Sequence, residues 1–292
     1  MKTTKRKKAL HDSSITRVWP VFQTLIHKDP SALSWLQNIL KLAGDKSQSS
    51  IQLKMDFTPL LPEILQKREI GPRVLKYYGL NSIEMERCFE KTIPPADGFL
   101  RWLILNPDKM TWPRRGKQTY SFNAQIKREQ LFGMHGNEAA EFAQRETMGE
   151  LDRLGAQRAH GKWWSFEGIT QVDCYLETEN LILLIEGKRT ETLSSKTDWY
   201  PQRNQLIRNL EVVQEISGGK YFAVLVIAEE DIGEIPEDVI QQSLPHFTKP
   251  ECDALMQHYL GCILWKDVCS ATGISYDSLP DTVVDYTNQI PW

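Results

Sequence analysis

No pair of cysteines in this chain is spaced C-x-x-C: Cys88, Cys174, Cys252, Cys262 and Cys269 stand apart, without a histidine partner at zinc-site spacing. A structural zinc site has no support, and the thiols read as reduced and mostly buried. Neither G-x-x-x-x-G-K-[ST] nor G-x-G-x-x-G occurs, so nothing points to ATP or NAD dependence. A G-x-S-x-G elbow is also missing, and the six histidines, His135, His160, His246 and His258 among them, are scattered without a nucleophile beside them. Long apolar runs are absent. Leu181 to Ile185 and Ala223 to Ala228 are the longest aliphatic stretches, far below the ~20 residues that cross a bilayer. The basic opening, Met1 to Lys8, is not followed by an apolar segment before His11, so no secretory signal is read and a cytoplasmic protein is expected, with no membrane partner. No repeat at a fixed period is found. A net charge of −3 does not advertise a polyanion binder, although local basic segments can still serve one.

What is present is ordinary in bulk and specific in one place. The 292 residues, 41% hydrophobic and 25% charged, suit a soluble globular protein of one large domain or two smaller ones. Val172-Asp173-Cys174-Tyr175-Leu176 and Leu181-Ile182-Leu183-Leu184-Ile185-Glu186-Gly187-Lys188 read as adjacent strands joined by a hairpin at Thr178-Glu179-Asn180-Leu181. The second run is apolar enough to be buried on both faces, and alternation puts Glu186 and Lys188 on the same side. Antiparallel pairing brings Asp173 beside them. Two carboxylates and an ammonium then converge, a geometry suited to Mg²⁺ or Mn²⁺, which take oxygen ligands and need few of them from the protein. Lys188 can orient or help deprotonate an attacking water and offset charge on a phosphate. Cys174 alternates with Asp173 and should serve packing.

The order helix, strand with Asp173, strand with Glu186-Gly187-Lys188, helix, strand resembles the core of the PD-(D/E)XK nuclease superfamily, the restriction-endonuclease-like fold. The resemblance spans roughly Gly136 to Glu230 and departs from the motif in having Val172 where a proline often precedes the first acid. It implies a metal-dependent phosphodiesterase acting on nucleic acid, with Asp173 and Glu186 ligating Mg²⁺ or Mn²⁺ and Lys188 assisting the attacking water. The family usually adds an acid from the preceding helix, for which Glu138, Glu141, Glu146 and Glu150 are available. On a helix over Asn137 to Leu154, turning about 100° per residue, Glu150 lies within the apolar arc of Ala143, Leu151 and Leu154, making it the first choice as a third ligand, with Glu146 next. Pairing with Arg153 or Arg158 is the competing reading for Glu150.

Downstream, Trp199-Tyr200-Pro201-Gln202 is read as opening a helix with proline in its first turn. The amides of Gln202 and Gln205 are both expected at the helix end nearest Glu186 and Lys188, and of Gln202, Arg203, Gln205 and Arg208, Gln205 is the preferred site residue. Gly218-Gly219 ends that helix, and Tyr221 to Ala228 is a buried strand parallel to the Glu186 strand. Lys162 to Glu167 is read as the first strand. The fold class is therefore α/β: a restriction-endonuclease-like α-β-β-β-α-β core with a mixed central sheet, plus a mostly helical N-terminal region. Helix-spaced segments are expected near Ile15 to Leu42, Leu60 to Lys67, Gly71 to Tyr78, Ile83 to Lys91 and Ala96 to Leu105. Domain bounds follow at 1–125, 126–248 and 249–292, the last a helical and irregular extension with a helix near Cys252 to Leu260. Trp112-Pro113-Arg114-Arg115-Gly116-Lys117 and Lys127-Arg128, with Tyr120, form the best local candidate for phosphate contacts and base stacking. The reading is a Mg²⁺-dependent deoxyribonuclease with DNA as partner, endonuclease ahead of exonuclease, and with a homodimer left open. The alternatives are a non-catalytic binding module retaining the fold and a metal-dependent phosphoesterase of small molecules.

Overall fold

Aliphatic runs without a polar face form stable strands only where both sides of the sheet are covered, and two such runs lie at the middle of this molecule. The computed structural model describes residues 11–29, 33–46, 66–69, 84–88, 91–112, 121–178 and 181–289. In chain order, a single π turn, Ser14–Val18, leads into α1 (Trp19–Lys28) and α2 (Leu33–Lys46), then strands β1 (Gln66–Glu69), β2 (Glu84–Cys88) and β3 (Lys91–Ile93). Helices α3 (Asp97–Leu105), α4 (Phe122–Leu131) and α5 (Asn137–Leu154) precede β4 (Thr170–Val172), β5 (Cys174–Glu177) and β6 (Leu181–Gly187). Helix α6 (Gln205–Ile216), β7 (Tyr221–Ala228), α7 (Glu237–Ser243), α8 (Lys249–Met256), β8 (Tyr259–Leu264), α9 (Trp265–Thr272) and α10 (Val283–Gln289) complete the chain.

The central sheet has the order β5-β6-β7-β8. β5 runs antiparallel to β6, with Cys174 opposite Ile185, while β6, β7 and β8 are parallel, so the sheet is mixed. Thr178 N donates to Leu181 O at 2.8 Å across the hairpin, whose two tip residues lie outside the described set. Every residue of β6 is buried. Alternation divides it cleanly: Leu181, Leu183 and Ile185 join one core with α1, α2, α9 and α10, whereas Ile182 and Leu184 join a second with α3, α5, α6 and α8. The chain is thus a three-layer α/β fold around the sheet.

Several sequence expectations need correction. Lys162 to Glu167 is not a strand; it turns, with Ser165 N bonded to Lys162 O, and buries Trp164 and Phe166 as wedges. Its aromatic content mimics β propensity without the pairing partner that a strand needs. The strand that meets β4 is β3, through Lys91 opposite Val172, and it begins at the last residue of the Ile83 to Lys91 segment read as helix, within which β2 lies. β2 pairs with β1, which begins at the end of another stretch read as helix. Helix α6 starts at Gln205, not near Pro201, because Asn204 caps it, its Oδ1 accepting from Leu206 N at 2.9 Å and Ile207 N at 3.4 Å. The 249–292 segment is not merely helical and irregular: β8 forms the edge of the central sheet. The expectations on positions 1–8, 60–65, 71–78 and 113–117 and on Tyr120 lie outside the described residues.

Candidate active site

Asp173 stands at the one-residue break between β4 and β5, where the chain exchanges β3 for β6 as its partner. That break frees the carboxylate from the ladder and turns it onto the end of β6. Its Oδ2 accepts from Gly187 N at 2.9 Å, and its Oδ1 accepts from the hydroxyl of Ser14 at 2.6 Å. Glu186 and Lys188 sit at the carboxyl end of β6, 2% and 7% exposed. Lys188 Nζ donates to Glu186 Oε1 at 2.8 Å and to Gln205 Oε1 at 3.2 Å. Gln205 Nε2 returns to Glu186 Oε1 at 2.6 Å, so a single amide orientation holds both members of the ion pair. Asn209, one turn further along α6, donates Nδ2 to Glu186 Oε2 at 3.1 Å.

Gly187 is the residue that this crowding permits. A Cβ there would run into the Val18 side chain and lie 3.2 Å from the Trp265 ring and 3.6 Å from Asp173 Oδ2. The π turn Ser14–Val18 therefore packs directly over the triplet, with Ser13 Oγ donating to Gly187 O at 2.9 Å.

The charges are unbalanced. Burial and the neighbouring Glu186 carboxylate drive the Asp173 carboxyl well above its ordinary range, against the Ser14 hydroxyl, the Lys188 charge and the Gly187 N–H. Burial alone would lower the Lys188 ammonium, but the charge and hydrogen bond of Glu186, with the charges of Asp173 and Glu191, outweigh it and raise it. Lys188 is accordingly a cation at neutral pH. Asp173 Oδ1, Asp173 Oδ2 and Glu186 Oε2 each have one hydrogen-bond donor among the described residues, which leaves each a further lone pair. Hard oxygen donors and excess negative charge match what Mg²⁺ or Mn²⁺ takes. No three His, Cys, Asp or Glu side chains are grouped to hold a metal ion among the described residues, so a cation here would have two protein carboxylates, a number Mg²⁺ tolerates by keeping its waters.

The sequence reading placed Asp173, Glu186, Lys188 and Gln205 together, and the fold does bring them together. Glu150 is engaged elsewhere: its Oε2 accepts from the Trp164 indole at 2.6 Å, and no hydrogen bond or ion pair joins it to Asp173, Glu186 or Lys188 among the described residues. The indole takes the place that Arg153 or Arg158 was read to fill. Glu146 pairs with Lys127 at 2.7 Å, and Glu141 faces Arg145 at 3.7 Å. Arg203 is fully enclosed by Glu167 and Glu211, whereas Gln202 is exposed. Arg128, read as part of a basic patch, is instead buried, its Nε on Trp163 O and its guanidinium 5.0 Å from the Trp199 ring centre. Trp112 packs edge-on against Phe132 and Trp199.

Ser14 and Asn209 were missed. Asn209 was findable, four residues beyond Gln205 and so on the same helix face. Ser14 has no local signal, since it lies 159 residues from Asp173.

A cavity of about 610 Å³ opens beside Lys188, at the carboxyl ends of β6 and β7 where parallel sheets leave a crevice. Leu193, Ile232 and Ile235 give it an apolar wall, and Glu191, Glu230 and Asp231 an acidic one. Compared with known proteins, the chain matches no family model, no curated protein and no solved structure.

Proposed function

We propose that this protein is a Mg²⁺-dependent nuclease that hydrolyses DNA phosphodiesters on a PD-(D/E)XK-type site. The observation that carries the reading is the meeting of Asp173, Glu186 and Lys188 at the carboxyl end of β6, with Gln205 from the next helix bridging the last two. The succession α5, β4 and β5, β6, α6, β7, with β6 and β7 parallel, supports a restriction-endonuclease-like core.

Asp173 and Glu186 would hold the cation. When bound, Mg²⁺ would supply positive charge and Lewis acidity at the scissile phosphate. Lys188, an ammonium paired with Glu186, would offset charge on the phosphate and orient the attacking water. Gln205 keeps the Lys188 ammonium and the Glu186 carboxylate in register, and Asn209 fixes the second oxygen of Glu186.

The test is cleavage of circular, linear and single-stranded DNA by the purified protein with Mg²⁺, Mn²⁺ or EDTA, beside Asp173→Ala and Lys188→Ala. Cutting that needs metal and disappears in Asp173→Ala is expected; full activity in that variant would sink the assignment. Nicking of the circle marks an endonuclease. A second reading, a metal-dependent phosphoesterase of small substrates, is favoured by the cavity's molecular size and acidic wall, which repels a polyanion. Hydrolysis of bis(p-nitrophenyl) phosphate without DNA affinity would select it.

A further inference from the structure

We infer that Ser14 is a positioning residue of the candidate centre, its hydroxyl aiming the Asp173 carboxylate at the cation shared with Glu186. The inference rests on the metal-site reading above and adds to it a residue from outside the motif.

A serine at a helix start ordinarily caps that helix. Here the cap is supplied by Asp12, whose side-chain Oδ1 accepts from Ile15 N at 3.2 Å and whose carbonyl accepts from Thr16 N at 2.9 Å. Ser13 makes no side-chain cap bond. Both serine hydroxyls are thereby released toward the sheet, where they do different things. Ser13 fastens the segment, through its Oγ on Gly187 O and its N–H on Glu191 Oε1 at 3.2 Å. Ser14 donates its hydroxyl to the carboxylate of Asp173, at 2.6 Å, from a position only 7% exposed.

The backbone agrees. The residues that cross the site, Ser14–Val18, form a π turn, a rare geometry that recurs at functional sites. With Ser14 on Oδ1 and Gly187 N–H on Oδ2, Asp173 is pinned at both oxygens, and one lone pair on each stays available. Without the hydroxyl, the carboxylate keeps one anchor and can rotate away from Glu186, which repels it. Partners of this kind around metal ligands typically change affinity by about 10–100-fold.

The experiment compares the unaltered chain with Ser14→Ala, Ser14→Thr and Ser13→Ala. Mn²⁺ binding is read by the loss of the free-ion paramagnetic resonance signal, and the Gly187 amide by its nitrogen-15 shift and hydrogen exchange in metal-free protein. Ser14→Ala is expected to weaken Mn²⁺ about 10-fold and to perturb the Gly187 amide. Ser14→Thr, which keeps the hydroxyl, should restore both, and Ser13→Ala should lower thermal stability with Mn²⁺ affinity retained. Equal Mn²⁺ affinity in Ser14→Ala and the unaltered chain overturns the role, as does an equal loss in Ser13→Ala, which would make the segment a fastening only. If the unaltered chain binds no Mn²⁺, the metal reading fails, and the role of Ser14 toward the cation fails with it. The Gly187 amide then shows separately whether Ser14 holds Asp173.

Discussion

Asp173 is the residue on which the electrostatic conflict of the site falls. Its folded pKa lies well above the ordinary 3.8, because it is buried beside Glu186. The folded chain therefore holds a proton that the unfolded chain has released, and stability falls as pH rises from about 4 toward the raised value. Asp173→Asn removes the titration. Thermal unfolding between pH 4 and 8 without divalent ions is expected to show a flatter profile and a higher midpoint at pH 7 for the variant; an unchanged slope would place the titration elsewhere. Lys188 also loses stability as pH rises, but in a far higher window: its raised pKa means that its contribution is complete below about 10.5 and is lost as pH climbs from there through the folded value. Lys188→Met strands Glu186 with two amides and no cation, so a loss on the order of 3 kcal/mol is expected. Mg²⁺ should recover part of that loss, since it replaces the missing charge. Denaturant unfolding with and without Mg²⁺ checks this, and a loss insensitive to Mg²⁺ would argue against a shared cation.

Helix α6 is the element that brings amides to the site, and its start is set by Asn204, whose backbone N–H also donates to Ser243 Oγ at 3.0 Å. Asn204→Ala should cost about 1 kcal/mol in stability and, on the proposed nuclease reading, depress DNA cleavage, because Gln205 is the first residue of the helix. Unfolding and DNA cleavage measured together check this, and undiminished cleavage would show that Gln205 keeps its place without the cap. The same helix shows what can be read in sequence. Its body, the two buried strands flanking it and the Glu186-Gly187-Lys188 end were legible because burial on both faces and period-2 alternation are local signals. Its first turn was misplaced because Pro201 resembles a helix opener, whereas capping by Asn204 depends on where the side chain reaches. β3 was missed because it has three residues, and both β3 and β8 take their state from partners distant in sequence. Glu150 has the burial argument in its favour, but apolar periodicity cannot say whether a carboxylate meets a metal or, as here, the Trp164 indole.

At the scale of the whole molecule, residues from the two ends of the described chain close over one face of the sheet next to the site. Arg17 joins them: its guanidinium pairs with Glu229 at the end of β7, donates to Thr16 O and Pro280 O, each at 2.8 Å, and stacks on Tyr276 at 5.4 Å. Arg189, immediately after Lys188, reaches Asp281 on the same side, and Tyr286 donates to Gln23 at 3.0 Å. The π turn that carries Ser14 is therefore braced by residues from about position 229 onward, which is why Asp173 depends on parts of the chain far from it in sequence. Arg17→Ala breaks this brace. Removing one member of a buried pair costs about 3–5 kcal/mol when the other is left alone. Glu229 retains the Tyr276 hydroxyl and has Arg189 Nε at 3.6 Å, so a smaller loss, roughly 2 kcal/mol, is expected here. The decisive part is local. Hydrogen exchange should rise first across 13–28 and 276–286 and at the Gly187 amide, with the rest of β6 and β7 still protected. If protection instead falls uniformly over the sheet, the chain ends belong to one cooperative unit with it and are not a separate clasp on the site.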